Sequence, residues 1–461
     1  MQVQETTDAS PDEGLLRALG LGSAILLVLG SVIGSGIFLT TGGMAALIPS
    51  PSLLLAAWIA GGVLSIAGGL TYAEMGAMFP RSGGVYVFLK EAYGALPAFL
   101  YGWASLLVII SGSIAAVAVG FAEYLSYFIP AASTSHIVLS IPVPWGTFDI
   151  SAAQLVASAS LLVLGAINYV GVRSGNMTNV VLTAAKVAGL VAIPVMALIW
   201  GSASPSYTPI MPPDITRPLA SFGVAMIAVL WTYESWYYVT YAAGEIRDPQ
   251  KNVPRALVLG VLALIVIYLS VNLAYFYALS LDEIKGVTRI AEKAALALIG
   301  PSGAGFIALT VLISTFGCNA AGILGGSRVL FAMARDGVFL PSASKVHPTY
   351  RTPHVAIVAL TVWSAILALS GTYDQLFTYV MFASILFSVA TGVAVFVLRW
   401  TRPGQPRPYR AWGYPVVPLL FVLGSTAFVI NTLNEKPVES LIGLGLLLTG
   451  IPVYMYSTRR S

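Results

Sequence analysis

The chain has one cysteine, three histidines and only 9% charged residues across 461 positions. A single thiol, Cys318, excludes any disulfide within the chain and argues against a structural zinc site. His136, His347 and His354 are scattered through loops and read as surface residues rather than ligands, so neither a metal nor a cofactor is expected. No nucleophile–base pair, metal cluster or phosphate loop stands out, and no strand is expected that a glycine-rich nucleotide fingerprint could follow. These absences disfavour an enzyme. The opening stretch MQVQETTDASPDEG lacks the basic start of a secretory signal and is expected to be retained.

What the chain does have is apolar length. Hydrophobic residues make up 57% of it and its mean hydropathy is +0.85. Runs of about 20 apolar residues, enough to cross the hydrocarbon core as helices, recur from end to end. Twelve spans are predicted, near 21–47, 53–78, 97–129, 152–171, 177–200, 219–243, 254–280, 303–334, 354–370, 373–398, 414–432 and 438–457. The fold class is therefore an all-α integral membrane protein with about twelve transmembrane helices. With both termini cytoplasmic, 17 Lys and Arg fall on the inner side and 5 on the outer, and Lys186 lies inside a span. That asymmetry supports the count and the orientation, and a multi-pass protein of the cell membrane.

Two spans are interrupted. The first carries GSVIGSGIF at its centre, and the sixth carries WTYESWYY, which puts Glu234 near mid-membrane. Glycine inside a helix costs roughly 1 kcal/mol relative to alanine. Interrupted helices at matching places in two halves point to an inverted-repeat transporter and to its binding site. Spans 1–5 (21–200) and 6–10 (219–398) are accordingly read as two repeats, after a tail at 1–20 and before accessory spans at 414–457. The competing reading is that Gly30 and Gly34, a GxxxG pair, only let helices pack closely.

A broken helix survives in lipid only where its freed backbone lines a cavity or meets a ligand. Unwinding around Ile33–Gly36 places the amides of Ser35, Gly36 and Ile37 at the start of a second half-helix, which favours an anion. The carbonyls of Val32 and Ile33 end the first half-helix and favour a cation. Gly34 and Gly36 are expected to supply unusual dihedrals and close approach to the main chain. An α-amino acid carries both charges on one carbon.

Four segments also carry a family resemblance: GSVIGSGIF, YAEMGAMFPRSGGVYVFLKEAYG, WTYESWYYVTYAAGEIRDPQKNVPRAL and STFGCNAAGILGGSRVLFAMARDGVFLP. In this order they resemble the amino acid–polyamine–organocation superfamily, and within it the L-type amino acid transporters. The resemblance spans essentially all twelve segments. It implies a LeuT-type 5+5 inverted repeat with helices 1 and 6 broken, alternating access, and sodium-independent exchange. Carried over, Ser35 and Gly36 bind the substrate carboxylate, and the carbonyls of Val32, Trp231 and Glu234 bind its ammonium. Trp231 becomes the aromatic gate, with ordinary packing as the alternative for this ring.

Lys186, in NVVLTAAKVAGLV, needs a compensating role because an ammonium at the bilayer centre costs about 2.5–3.5 kcal/mol on insertion scales. The family sets a lysine of the fifth span against the broken first helix, where sodium-coupled relatives bind an ion. A proton-coupling role and snorkelling to the interface are the other readings. Glu234 stands where family members carry glycine or aspartate, often followed by glycine, whereas this chain has Glu-Ser. It reads as a partner for a cationic substrate, a proton-coupling site, or a carboxylate bonded to nearby amides and hydroxyls. Glu74 and Glu123 read as helix-end or inter-helix pairs, and GEIRDPQKNVPR with RDGVFLP as ion pairs that latch an inner gate. Ser111 and Gly112 are candidate pocket residues.

Eukaryotic members of this family join a single-span glycoprotein through a cysteine after the third span. Residues 130–151 contain none, so a prokaryotic permease that stands alone, without a disulfide-linked subunit, is expected; a monomer is one reading of its oligomeric state, which the sequence leaves open. Its partners are then amino acids and the lipid bilayer, with no nucleic acid. The leading function is exchange of neutral L-amino acids. Proton-coupled uptake, including of cationic amino acids, is the alternative, and a non-transporting sensor is disfavoured by the short tails.

Overall fold

Inside a bilayer every backbone polar group must find a partner within the protein, and this chain meets that demand almost entirely as helices. The computed structural model describes residues 17–458, apart from 18, 144–145, 171–174, 212–214, 216 and 351. The segment 1–14, and Arg173, Arg351, Arg459 and Arg460 of the charge tally, lie outside the described residues. Among the described residues nine helices are long and apolar enough to cross a membrane, from Pro51–Met78 to Pro437–Ser457. A tenth span is the pair Leu21–Val32 and Gly36–Leu47, bent by 43° at its break. Two of the twelve expected spans are shorter helices, Pro218–Tyr233 with 16 residues and His354–Ser370 with 17. The chain is an all-α integral membrane protein in which, among the described residues and with the bent pair taken as one, ten spans meet the length criterion.

Local signals explain several helix ends. Ser50 caps Pro51–Met78 by accepting from the Leu53 amide at 3.4 Å, and the proline at its first position has no amide to leave unpaired. Thr372 and Gln375 form a capping box that fixes the start of Tyr373–Thr401. The third span, Ala95–Leu125, contains a π-helical stretch at Ser105–Ile109.

One expectation fails. No strand was predicted, yet β1 (Ile137–Val143) pairs antiparallel with β2 (Gly146–Ser151) after the third span. Ile141 faces Phe148 across the ladder, and β-branched and aromatic residues suit such pairing.

Two packing features position the site. Leu21–Val32 lies against Gly175–Trp200, Pro249–Ala278 and the 3-10 turn Trp236–Thr240, while Gly36–Leu47 lies against Pro218–Tyr233. Both interruptions are thereby brought side by side. Elsewhere Glu74 joins helices as expected, taking a bidentate pair from Arg399 at 3.0 and 2.6 Å and the Ala411 amide at 2.7 Å.

Candidate functional site

The first half-helix ends at Ile33 (φ −72°, ψ 89°), and Ser35 is the N-cap of the second. In the sixth span the helix ends at Tyr233. Glu234 is extended, Ser235 is left-handed (φ 74°, ψ 4°), and the chain resumes at Trp236 as a 3-10 turn. Ser31 Oγ donates to the Ser235 carbonyl at 3.1 Å and ties the two breaks together. Serine here adopts a conformation that costs an L-residue roughly 1–2 kcal/mol. Ser235→Gly is therefore expected to stabilise the protein by about 1 kcal/mol, read as a higher melting temperature in detergent.

The glycines of the first break act differently from the expectation. Neither Gly34 nor Gly36 has positive φ, so unusual dihedrals are not their contribution. Their value is space. A Cβ on Gly36 would lie 2.5 Å from Thr232 Oγ1, and one on Gly30 would lie 2.8 Å from Thr183 Oγ1. Close packing and a break coexist, because with side chains at these positions the half-helices could not sit this near their neighbours.

The carbonyl end of the first half-helix is occupied from within. Lys186, buried to 1% exposure, donates from Nζ to the Gly30 carbonyl at 2.6 Å and the Ile33 carbonyl at 3.0 Å. Ser314 Oγ adds contacts at 3.1 Å to Ile33 and 3.2 Å to Gly34, and the Cys318 thiol lies 3.3 Å from the Ser31 carbonyl. The Val32 carbonyl receives Tyr268 Oη at 3.5 Å. On the other side of the break, the amides of Ser35, Gly36 and Ile37 open the second half-helix, where first-turn donors have no acceptor in their own helix. The Ile37 carbonyl receives Tyr275 Oη at 3.0 Å, and the Ile33 and Ile37 side chains are fully buried in the core.

A cavity of about 40 Å³ lies between the breaks, bordered by Val32, Gly34, Ser35 and Gly36 from the first and by Trp231, Thr232 and Glu234 from the sixth. Glu234 Oε1 accepts from Tyr237 Oη and Ser384 Oγ. The third span contributes Ser113, Ile114 and Val117, not Ser111 and Gly112. Ser111 instead bonds the Leu106 carbonyl within its own span, and Gly112 packs against Val380. The eighth span contributes Cys318, Asn319 and Gly322.

Beyond this cavity, on the side of the β-hairpin, lies a vestibule of about 840 Å³ that reaches Phe148, Asp149 and Lys436. Aromatic rings separate the two. Trp231 stacks on Phe377 with centroids 5.8 Å apart, and its Nε1 donates to Tyr373 Oη at 2.8 Å. On the opposite side, which carries Arg17, the chain is closed by ion pairs Arg328–Glu245 at 2.6 Å and Lys90–Asp336 at 2.7 Å. Leu19 and Glu245–Arg247 also exchange backbone bonds there, and Tyr101 meets Tyr241 beneath the cavity. The mixed-charge segments thus form pairs on one closed face.

Sequence reasoning missed Tyr373, Phe377 and Ser384, which reach the site only through tertiary packing, and Tyr237, which lies in the interrupted sixth span three residues from Glu234. Ser314, Cys318 and Gly322 had a readable signal, since small residues four apart mark one face of the eighth span. Among the described residues no group of three or more His, Cys, Asp or Glu could hold a metal ion.

The chain matches the model of the family described as amino acid permease over residues 19–451. It is 31% identical to the serine/threonine exchanger SteT of Bacillus subtilis (strain 168), over 97% of this chain and 98% of the relative. Identity is also 31% to the large neutral amino acids transporter small subunit 2 of Homo sapiens, over 97% and 83%. The b(0,+)-type amino acid transporter 1 of Homo sapiens is 29% identical over 95% and 88%. The chain belongs to the amino acid permease family, in the L-type branch of the amino acid–polyamine–organocation superfamily, and is a membrane transporter of amino acids rather than an enzyme.

Proposed function

We propose that this permease exchanges neutral L-amino acids across the cell membrane by alternating access and without sodium. The observation that carries the reading is Lys186, whose ammonium sits on the Gly30 and Ile33 carbonyls. A fixed cation there satisfies the negative end of the half-helix that a bound metal ion would otherwise satisfy. The substrate carboxylate is held by the amides of Ser35, Gly36 and Ile37, and its ammonium by the carbonyls of Val32, Trp231 and Glu234. Residues 21–200 and 219–398 act as the two inverted repeats, with 414–457 accessory. The 17-to-5 distribution of Lys and Arg supports cytoplasmic termini. Trp231 gates the site from the outer side.

Neutral side chains are favoured by the lining. Ser113, Thr232 and Asn319 are uncharged, and Glu234 is already engaged by two hydroxyls. A cavity of about 40 Å³ is smaller than any amino acid and must widen on binding, least for a small one such as serine or threonine. The name of the Bacillus subtilis relative agrees with that choice. Cys318 faces the Ser31 carbonyl inside the bundle, and a permease working without a disulfide-linked subunit follows.

Purified protein in liposomes tests the proposal. Uptake of labelled L-serine is expected to require an internal neutral amino acid and to be unchanged when sodium is replaced by choline. Accumulation into liposomes lacking internal amino acid, driven by an inward proton gradient, would instead establish proton-coupled uptake.

A further inference from the structure

Tyr373 bonds two parts of the site at once. It is the first residue of the helix Tyr373–Thr401, whose start is fixed by the Thr372–Gln375 capping box. Its hydroxyl lies 3.0 Å from Ser35 Oγ and accepts from Trp231 Nε1 at 2.8 Å. An indole N–H can only donate, so the phenol oxygen accepts from Trp231, and either hydroxyl can supply the proton between Tyr373 and Ser35. The tyrosine ring also packs edge-on against Phe377, the ring on which Trp231 stacks.

Ser35 shows what this contact displaces. A serine at a helix N-cap ordinarily turns its hydroxyl onto an amide of the first turn. Ser35 makes no such bond, and its Oγ meets Tyr373 instead. The phenol oxygen therefore stands beside the start of the half-helix, between Ser35 at the small cavity and the vestibule that Tyr373 lines, within reach of a carboxylate held at Ser35.

We propose that Tyr373 is a latch that competes with substrate: its hydroxyl occupies Ser35 in the empty site and holds Trp231 closed, and an arriving carboxylate takes Ser35 from it. The exchange of partners on Ser35 couples occupancy to the gate. An empty carrier stays shut toward the vestibule, which suppresses leak and favours strict exchange. Tyr373 is a positioning residue in this scheme, acting on the substrate through Ser35 and Trp231. The inference rests on the reading of Ser35 as part of the carboxylate site.

Tyr373→Phe keeps the ring and removes the hydroxyl. In liposomes its KM for external L-serine is expected to fall by about fivefold, because one hydrogen-bonding competitor is gone. Efflux of preloaded L-serine into buffer without amino acid is expected to rise several-fold. Trp231→Phe releases the latch from its other partner, and should raise the same leak without lowering KM. A higher KM with unchanged leak in Tyr373→Phe would make Tyr373 a substrate ligand and overturn the latch. Unchanged KM and leak, or no added leak in Trp231→Phe, would overturn it as well. Failure of the unaltered protein to exchange L-serine would instead remove the functional reading itself.

Discussion

Lys186→Ala is expected to lower exchange in liposomes by about two orders of magnitude while the protein still reaches the membrane. The Gly30 and Ile33 carbonyls would both lose their ammonium donor, and Ser314 would remain on Ile33. A hydrogen bond to a charged group contributes about 1.5–3 kcal/mol, so losing two removes about 3 kcal/mol or more from the ordered break. A factor of ten corresponds to about 1.4 kcal/mol, which sets the size of the effect. Lys186→Met separates charge from volume, since it fills the same space without the ammonium and should be nearly as impaired. Lys186→Arg is expected to fail too, because a planar fork does not fit a pocket shaped for a compact charge. Normal exchange by the alanine or methionine variant would remove Lys186 from the mechanism.

Gly36→Ala is the second large effect. The added Cβ would sit 2.5 Å from Thr232 Oγ1 and 3.0 Å from the Thr232 Cα, so the second half-helix must move away from the sixth span. Overpacking of this kind costs about 1–3 kcal/mol. The functional loss is expected to be larger, roughly a hundredfold, because the amides that hold the carboxylate move with the half-helix. Adding Thr232→Ala removes the hydroxyl but leaves the backbone contact, so the double variant should recover only part of the exchange. The cycle of single and double variants measures that coupling directly. Full independence of the two substitutions would show that this contact does not position the site.

Much of this arrangement can be read without coordinates, for physical reasons. Glycines and serines inside an apolar run contradict a continuous helix, which makes 33–36 visible as a break. A lone lysine about ten residues into a span demands partners, and carbonyls at a helix end are the natural ones. Other features have no local signature. Tyr373 lies more than 300 residues from Ser35 in sequence, and nothing near it distinguishes it from the other 21 tyrosines. Ser235 stands where the family often has glycine, the residue that left-handed positions prefer, and here tertiary packing holds a serine in that conformation. The hairpin at 137–151 was readable from its β-branched run and turn glycine. It sits in a chain whose composition is otherwise that of membrane helices.

The claim beneath the whole account is that the interrupted first helix grips the substrate with its own backbone. A structure of the protein with L-serine bound tests it most directly. The account predicts the carboxylate within hydrogen-bond distance of the Ser35, Gly36 and Ile37 amides, with Lys186 still on the Gly30 and Ile33 carbonyls and Tyr373 withdrawn from Ser35. An amino acid lodged only in the outer vestibule, with both breaks empty and Tyr373 unmoved, would contradict it.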